Sequence, residues 1–116
     1  MQKFNLKNYV MKPEDKIAKR VIYHDDNTLA FILNIASGES LPEHTHFDCT
    51  VLLQVMKGKC MVNVDEKKVS LSRDDLIQID GPEKMSVDNT GKETLVLYVT
   101  ISPLPPEEKY RVDADI

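Results

Sequence analysis

The stretch Gly38-Glu39-Ser40-Leu41-Pro42-Glu43-His44-Thr45-His46 carries two imidazoles spaced i and i+2. On an extended segment this spacing puts both rings on one face, close enough to share a single metal ion. Immediately downstream, Val51 to Met56 reads as a strongly apolar strand that Lys57-Gly58 stops. Upstream, Leu29, Phe31, Leu33 and Ile35 recur at period two, the alternation of a strand with one buried face, and Ser37-Gly38-Glu39-Ser40 closes that run.

The same texture extends in both directions. Val21-Ile22-Tyr23 is β-branched and aromatic and is followed by Asp25-Asp26-Asn27, residues whose side chains favour turns. Cys60, Val62 and Val64 alternate with Lys59, Met61 and Asn63, so one face is buried and the other wet. Asp65-Glu66-Lys67-Lys68 reads as a hairpin turn of about four residues, with Val69 and Leu71 opening the return strand. Leu76-Ile77-Gln78-Ile79 is a further short strand, ended by Asp80-Gly81-Pro82. Leu95, Leu97, Val99 and Ile101 place a strand over Thr94 to Ser102, after which Pro103, Pro105 and Pro106 forbid ladder bonding. Roughly six to nine short strands, with turn signals about every 8 to 12 residues and no helical pattern of useful length, predict an all-β sandwich or barrel.

The chain has 116 residues, 41% of them hydrophobic, which suits one domain with one core. The barrel core is expected over about residues 20–102, between an N-terminal arm (1–19) and a polar C-terminal tail (103–116) that wraps a surface or frays. A formal charge of −4 lacks the basic stripe of a nucleic-acid binder and argues against docking on anionic lipid. No apolar run reaches the roughly 20 residues of a membrane-spanning helix. The opening Met1-Gln2-Lys3-Phe4-Asn5-Leu6 shows no signal-peptide pattern. Two cysteines, Cys49 and Cys60, are too few for a disulfide framework, so a reducing cytoplasm is the expected compartment. Phosphate-cradling glycine loops, nucleophile elbows and His-Glu-x-x-His are absent.

With these residues in place, the chain resembles a small single-domain cupin of the conserved-barrel type. The family's first motif runs Gly, five residues, His-x-His, three or four residues, Glu, six residues, Gly; here it reads Gly38, five residues, His44-Thr45-His46, four residues, Val51, six residues, Gly58. The second motif runs Gly, five residues, Pro-x-Gly, two residues, His, three residues, Asn; in register, this chain offers Asp74, Asp80-Gly81-Pro82, Met85 and Asn89. The resemblance covers about Arg20 to Ser102 and implies a double-stranded β-helix, a jelly-roll β-barrel of two antiparallel sheets with the motif residues at one mouth. Leu29, Phe31, Leu33, Ile35, Val62, Val64, Ile77 and Ile79 would fill its interior. It also implies a homodimer in which an arm or strand covers a sheet edge.

The family's metal centre is three His and one Glu. Only His44 and His46 match it, because Val51 stands at the Glu position and Met85 at the third His. A third donor would have to come from Gln54, Asp48, Cys49 or His24. Gln54 lies three residues from Val51, which by alternation puts it on the opposite face. Without a metal, the two imidazoles would line a polar pocket and hydrogen-bond ligand or water. Met85 would serve as pocket wall, Cys60 as a small buried hydrophobe and Asp74-Asp75 as a turn. The residues expected to contact a ligand are His44, His46, Gln54 and Met85; those expected to contact a metal are His44 and His46. Two functions of different class are open. One is a binding module for a small polar or anionic metabolite, with a partial metal site or none. The other is a metal-dependent enzyme, a dioxygenase or isomerase, holding zinc, iron, nickel or manganese on two imidazoles and an improvised donor.

Overall fold

A computed structural model describes all residues 1–116. Ten strands follow in order: β1 (Ile17–Asp25), β2 (Thr28–Ile35), β3 (Ser40–His44), β4 (Thr50–Lys57), β5 (Lys59–Val64), β6 (Lys67–Ser72), β7 (Leu76–Asp80), β8 (Met85–Asn89), β9 (Leu95–Ser102) and β10 (Ala114–Asp115). Two single 3-10 turns, Leu6–Tyr9 and Glu108–Arg111, are the only helical pieces. The strands form a six-stranded antiparallel sheet, β10-β1-β2-β9-β4-β7, and a four-stranded one, β3-β8-β5-β6. This is the all-β architecture expected from the alternation, in the jelly-roll form that the family resemblance implies.

The two sheets close on one core. Inward residues of β2 (Leu29, Phe31, Leu33, Ile35), β4 (Val51, Leu53, Val55) and β9 (Leu95, Leu97, Val99, Ile101) meet Cys60, Val62 and Val87 of the facing sheet in a single buried cluster. Val64 and Ile77 are partly buried and pack against it. The period-two pattern works because each such residue, once enclosed, contributes about 1.5 to 3 kcal/mol through apolar surface removed from water.

Glycines and aspartates turn the chain where the motif spacing needs it. Gly38 and Gly58 take positive φ (78° and 90°), which side chains disfavour. Asp74, at the position of the family's glycine, also has positive φ (75°), a conformation Asp tolerates better than most residues. The β5–β6 turn is shorter than expected. Val64 pairs with Lys67, so only Asp65 and Glu66 make the loop, with Asp65 at φ 53°. That positive φ belongs to the tight hairpin turns that match strand twist.

The first strand starts at Ile17, inside the segment read as an arm, and pairs with β2 from Ile17↔Ile35 onward. The residues before it cover the outer side of β2. Ile32 and Asn34, which alternate away from the core, are fully buried there. Asn34 Oδ1 accepts from the Met11 amide (3.0 Å), and its Nδ2 donates to the Tyr9 and Ala18 carbonyls (both 3.1 Å). The tail wraps rather than frays: β10 adds to the edge of β1 through Ala18↔Asp115 and Lys19↔Ala114.

Asn34 therefore pins the N-terminal segment to the barrel. Asn34→Ala is expected to cost about 2 kcal/mol, since it orphans buried backbone groups. Urea denaturation measures that cost. Limited proteolysis should show faster cleavage within the first sixteen residues, ahead of β1.

Candidate functional site

His44 ends β3, and His46 lies two residues on, in the link to β4. This link is held tightly against the barrel wall. The His46 amide donates to the Gly81 carbonyl (3.0 Å), and the Cys49 amide donates to the His46 carbonyl (3.0 Å). Asp48 turns the chain at positive φ (63°). Gly81 permits the approach: a Cβ there would lie 2.6 Å from the Cys49 carbonyl oxygen and nearer still to that of His46. The glycine at this position is thus required by backbone contact.

The link delivers both imidazoles to one cavity of about 350 Å³ at the barrel mouth. His44, His46, Val51 and Met85 all line it, so the four motif positions do converge. Met85 is paired across from His44 on the neighbouring strand. The two rings meet edge to face with centroids 4.6 Å apart. His44 Nδ1 is 2.7 Å from the Pro42 carbonyl, which can only accept, so Nδ1 carries the proton. Burial, followed by repulsion from His44 and Lys19, pulls the His46 pKa down to about 4, so this imidazole is neutral at pH 7.

Three features of the lining escape sequence reading. Lys19 of β1 points its ammonium over the Phe31 ring (4.7 Å to the centroid) and donates to the Tyr110 carbonyl (2.5 Å). The Tyr110 and His46 rings meet edge to face with centroids 5.9 Å apart. The tail supplies one side of the cavity through Lys109, Tyr110, Ala114 and Ile116. These residues carry no motif, and β10 pairing joins positions nearly a hundred residues apart, which no local pattern encodes. Apart from the exposed Glu43, the rest of the wall is apolar and includes Leu33, Leu53 and Val99.

Gln54, expected among the ligand contacts, is not in the lining. Val51, Leu53 and Val55 take the inward positions of β4, so Gln54 faces outward between Tyr98 and Leu76. None of the other substitute donors reaches the cavity either. His24 is exposed at the end of β1 and Asp48 is exposed in the link. The Cys49 thiol is buried against the Pro103 carbonyl (3.3 Å), and burial pushes its pKa up, away from the thiolate a metal needs. Nowhere do three or more His, Cys, Asp or Glu side chains converge as a metal would require. Val51 (1% exposed) has no lone pair, and Met85 (2% exposed) offers a soft thioether. The residues present do not fit the family's metal. Asn89, at the motif's final position, is structural: its Nδ2 donates to the Ile35 and Glu93 carbonyls (both 2.9 Å).

Gly81→Ala should destabilise the fold by about 1 to 3 kcal/mol, because backbone rather than a flexible side chain must give way. Its His46 imidazole resonances should move while those of His24 stay in place. A second expected outcome concerns pH. His46 has an ordinary pKa of 6.5 when unfolded and about 4 when folded. The unfolded chain therefore gains the proton first, and stability falls as pH drops from 6.5 toward 4. In paired urea titrations at about pH 7 and about pH 4.5, His46→Gln should lose less stability on acidification than the parent.

Residues 31–101 match the cupin domain family. The tetracenomycin polyketide synthase protein TcmJ of Streptomyces glaucescens is 30% identical over 74 residues, 64% of this chain and 50% of that protein. The match thus spans about half the length of that relative. The structure is similar to TT1209 from Thermus thermophilus, with a TM-score of 0.83 at 19% identity over 89% of this chain and 98% of that one. It is also similar to a conserved protein with a double-stranded β-helix domain from Klebsiella pneumoniae, with a TM-score of 0.82 at 14% identity over 88% and 84% of the two chains. At these identities the structural likeness concerns the fold alone. The family match runs through more than half of the chain, including His44, His46, Val51 and Met85 of the cavity, and the chain belongs to the cupin domain family.

Proposed function

We propose that this cupin domain binds a small organic molecule in the barrel mouth and recognises its polar group through the imidazoles of His44 and His46 by hydrogen bonding. One observation carries the reading: the four motif positions converge on a single cavity, yet two of them are Val51 and Met85. The shape of a ligand site is retained while the donor set of a metal centre is not. His44 commits its Nδ1 proton to the Pro42 carbonyl, which leaves Nε2 as the ring nitrogen free for a ligand. His46, neutral at pH 7, keeps one donor and one acceptor on its ring. A volume of about 350 Å³ with mostly apolar walls and a few polar groups is the ordinary form of a small-molecule site.

Metal analysis of protein purified without an affinity tag tests the reading. We expect well under one equivalent of zinc, iron, nickel or manganese, and no change in unfolding midpoint with chelator. Near-stoichiometric metal that disappears in the His44→Ala/His46→Ala double variant would overturn it and favour the metal-dependent enzyme. The complementary variant is Val51→Glu/Met85→His, which places the missing donors on the same cavity wall. It should bind one divalent ion at least about a hundredfold more tightly than the parent, as expected when two ligands become four.

We also propose a homodimer. Leu52 and Leu76 are 41% and 60% exposed on the outer face of β4 and β7, and β7 is a free sheet edge. Sedimentation equilibrium should give twice the chain mass, and Leu76→Glu should shift it toward the monomer. A monomeric parent contradicts the proposal.

A further inference from the structure

We propose that the molecule held in this cavity is an organic anion, a compact apolar body bearing one carboxylate, and that Lys19 is the residue that meets the carboxylate. The proposal rests on the small-molecule reading above and specifies its ligand class.

Lys19 carries a charge without a partner. It is half-buried in the lining, with its ammonium between the rings of Phe31 (4.7 Å) and Tyr110 (5.9 Å). An ammonium has three donors, and only one is used, toward the Tyr110 carbonyl. The chain's ion pairs are Arg20–Asp115, Lys57–Glu93 and Lys109–Glu107, and Lys19 belongs to none of them. Asp113, on the tail, attracts it from beyond ion-pair range. Its strand partners across β2 and β10, Leu33 and Ala114, carry no charge.

Such a group is costly to keep in place, since a half-buried cation without a counter-ion loses hydration and gains little in return. Burial accordingly lowers its pKa to about 8, which still leaves the ammonium predominant at pH 7. A carboxylate entering the cavity would supply the missing acceptor in a water-poor setting, where a charge-assisted bond is strongest. The surroundings agree. Lys109 at the rim is paired with Glu107, and Glu43, the one carboxylate side chain in the lining, is exposed, so neither changes the need of Lys19 for an acceptor. Eleven of the seventeen lining residues are hydrophobic, which calls for an apolar body behind the charged head.

Calorimetry with 2-naphthoate and its neutral isostere 2-naphthamide tests this. The two probes share an apolar body and differ in charge. The parent should favour naphthoate by about tenfold or more, the usual scale for a charge-assisted bond. Lys19→Met, which keeps the stem and removes the charge, should erase that preference while binding naphthamide within about threefold of the parent. Retained naphthamide binding also shows that the variant is folded. A parent that binds both probes equally, or a preference that survives Lys19→Met, overturns the assignment of Lys19. If naphthamide binds and naphthoate does not, the anion proposal fails and the small-molecule reading stands. If neither binds at millimolar concentration, both fail.

Discussion

The contact on which the site depends is the close approach of the Thr45–Cys49 link to Gly81. Backbone lies on backbone there, with hydrogen bonds running from His46 to Gly81 and from Cys49 back to His46. No side chain can occupy the space between them. Because the link is fixed, His46 is turned into the barrel mouth rather than out with Phe47, which is 69% exposed one residue later. The strands supply the walls of the cavity, and this turn supplies its chemistry.

The character of that chemistry follows from what surrounds the imidazoles. Burial, followed by repulsion from His44 and Lys19, disfavours charge on His46, so it stays neutral at pH 7. The positions from which a carboxylate and a third imidazole would project are filled by Val51 and Met85, both part of the buried core. What remains is a pocket with a hydrogen-bonding end, a lone ammonium at one side and an apolar base. A mouth of this kind favours recognition of an organic molecule over coordination of an ion. The tail completes the enclosure: β10 on the edge of β1 brings Tyr110 and Ile116 over the opening, and Lys19 and Tyr110 tie the two segments together.

Much of this architecture was legible in the sequence for a plain reason. Period-two alternation reports burial directly, and it located β2, β5 and β9 because each has one face in the core, while β4 and β7 showed as short apolar runs. The spacing of Gly38, His44, His46 and Gly58 also carried over, since both glycines occupy positive φ. Even Asp74, a departure from the family's glycine, marks the same backbone conformation. What stayed hidden has physical causes as well. β8 is short and polar on alternate residues, as Ser86 and Asp88 show, and gives no strand signal of its own. Lys19 falls at the end of the segment read as an arm and looks like any polar residue there until β10 and Tyr110 enclose it. Asn34 sits within an apolar run, and only the overlying segment explains its burial. Gln54 was drawn into the ligand set by its chemistry, against the alternation that places it outside.

The central claim is that His44 and His46 act as hydrogen-bonding groups rather than as metal ligands. Long-range proton–nitrogen NMR of the imidazole rings at pH 7 tests it most directly. The account predicts a neutral His46 and a His44 ring protonated on Nδ1, with neither ring changing its nitrogen shifts when one equivalent of zinc is added. A ligation-type shift of both rings, complete at one equivalent of zinc, would contradict it.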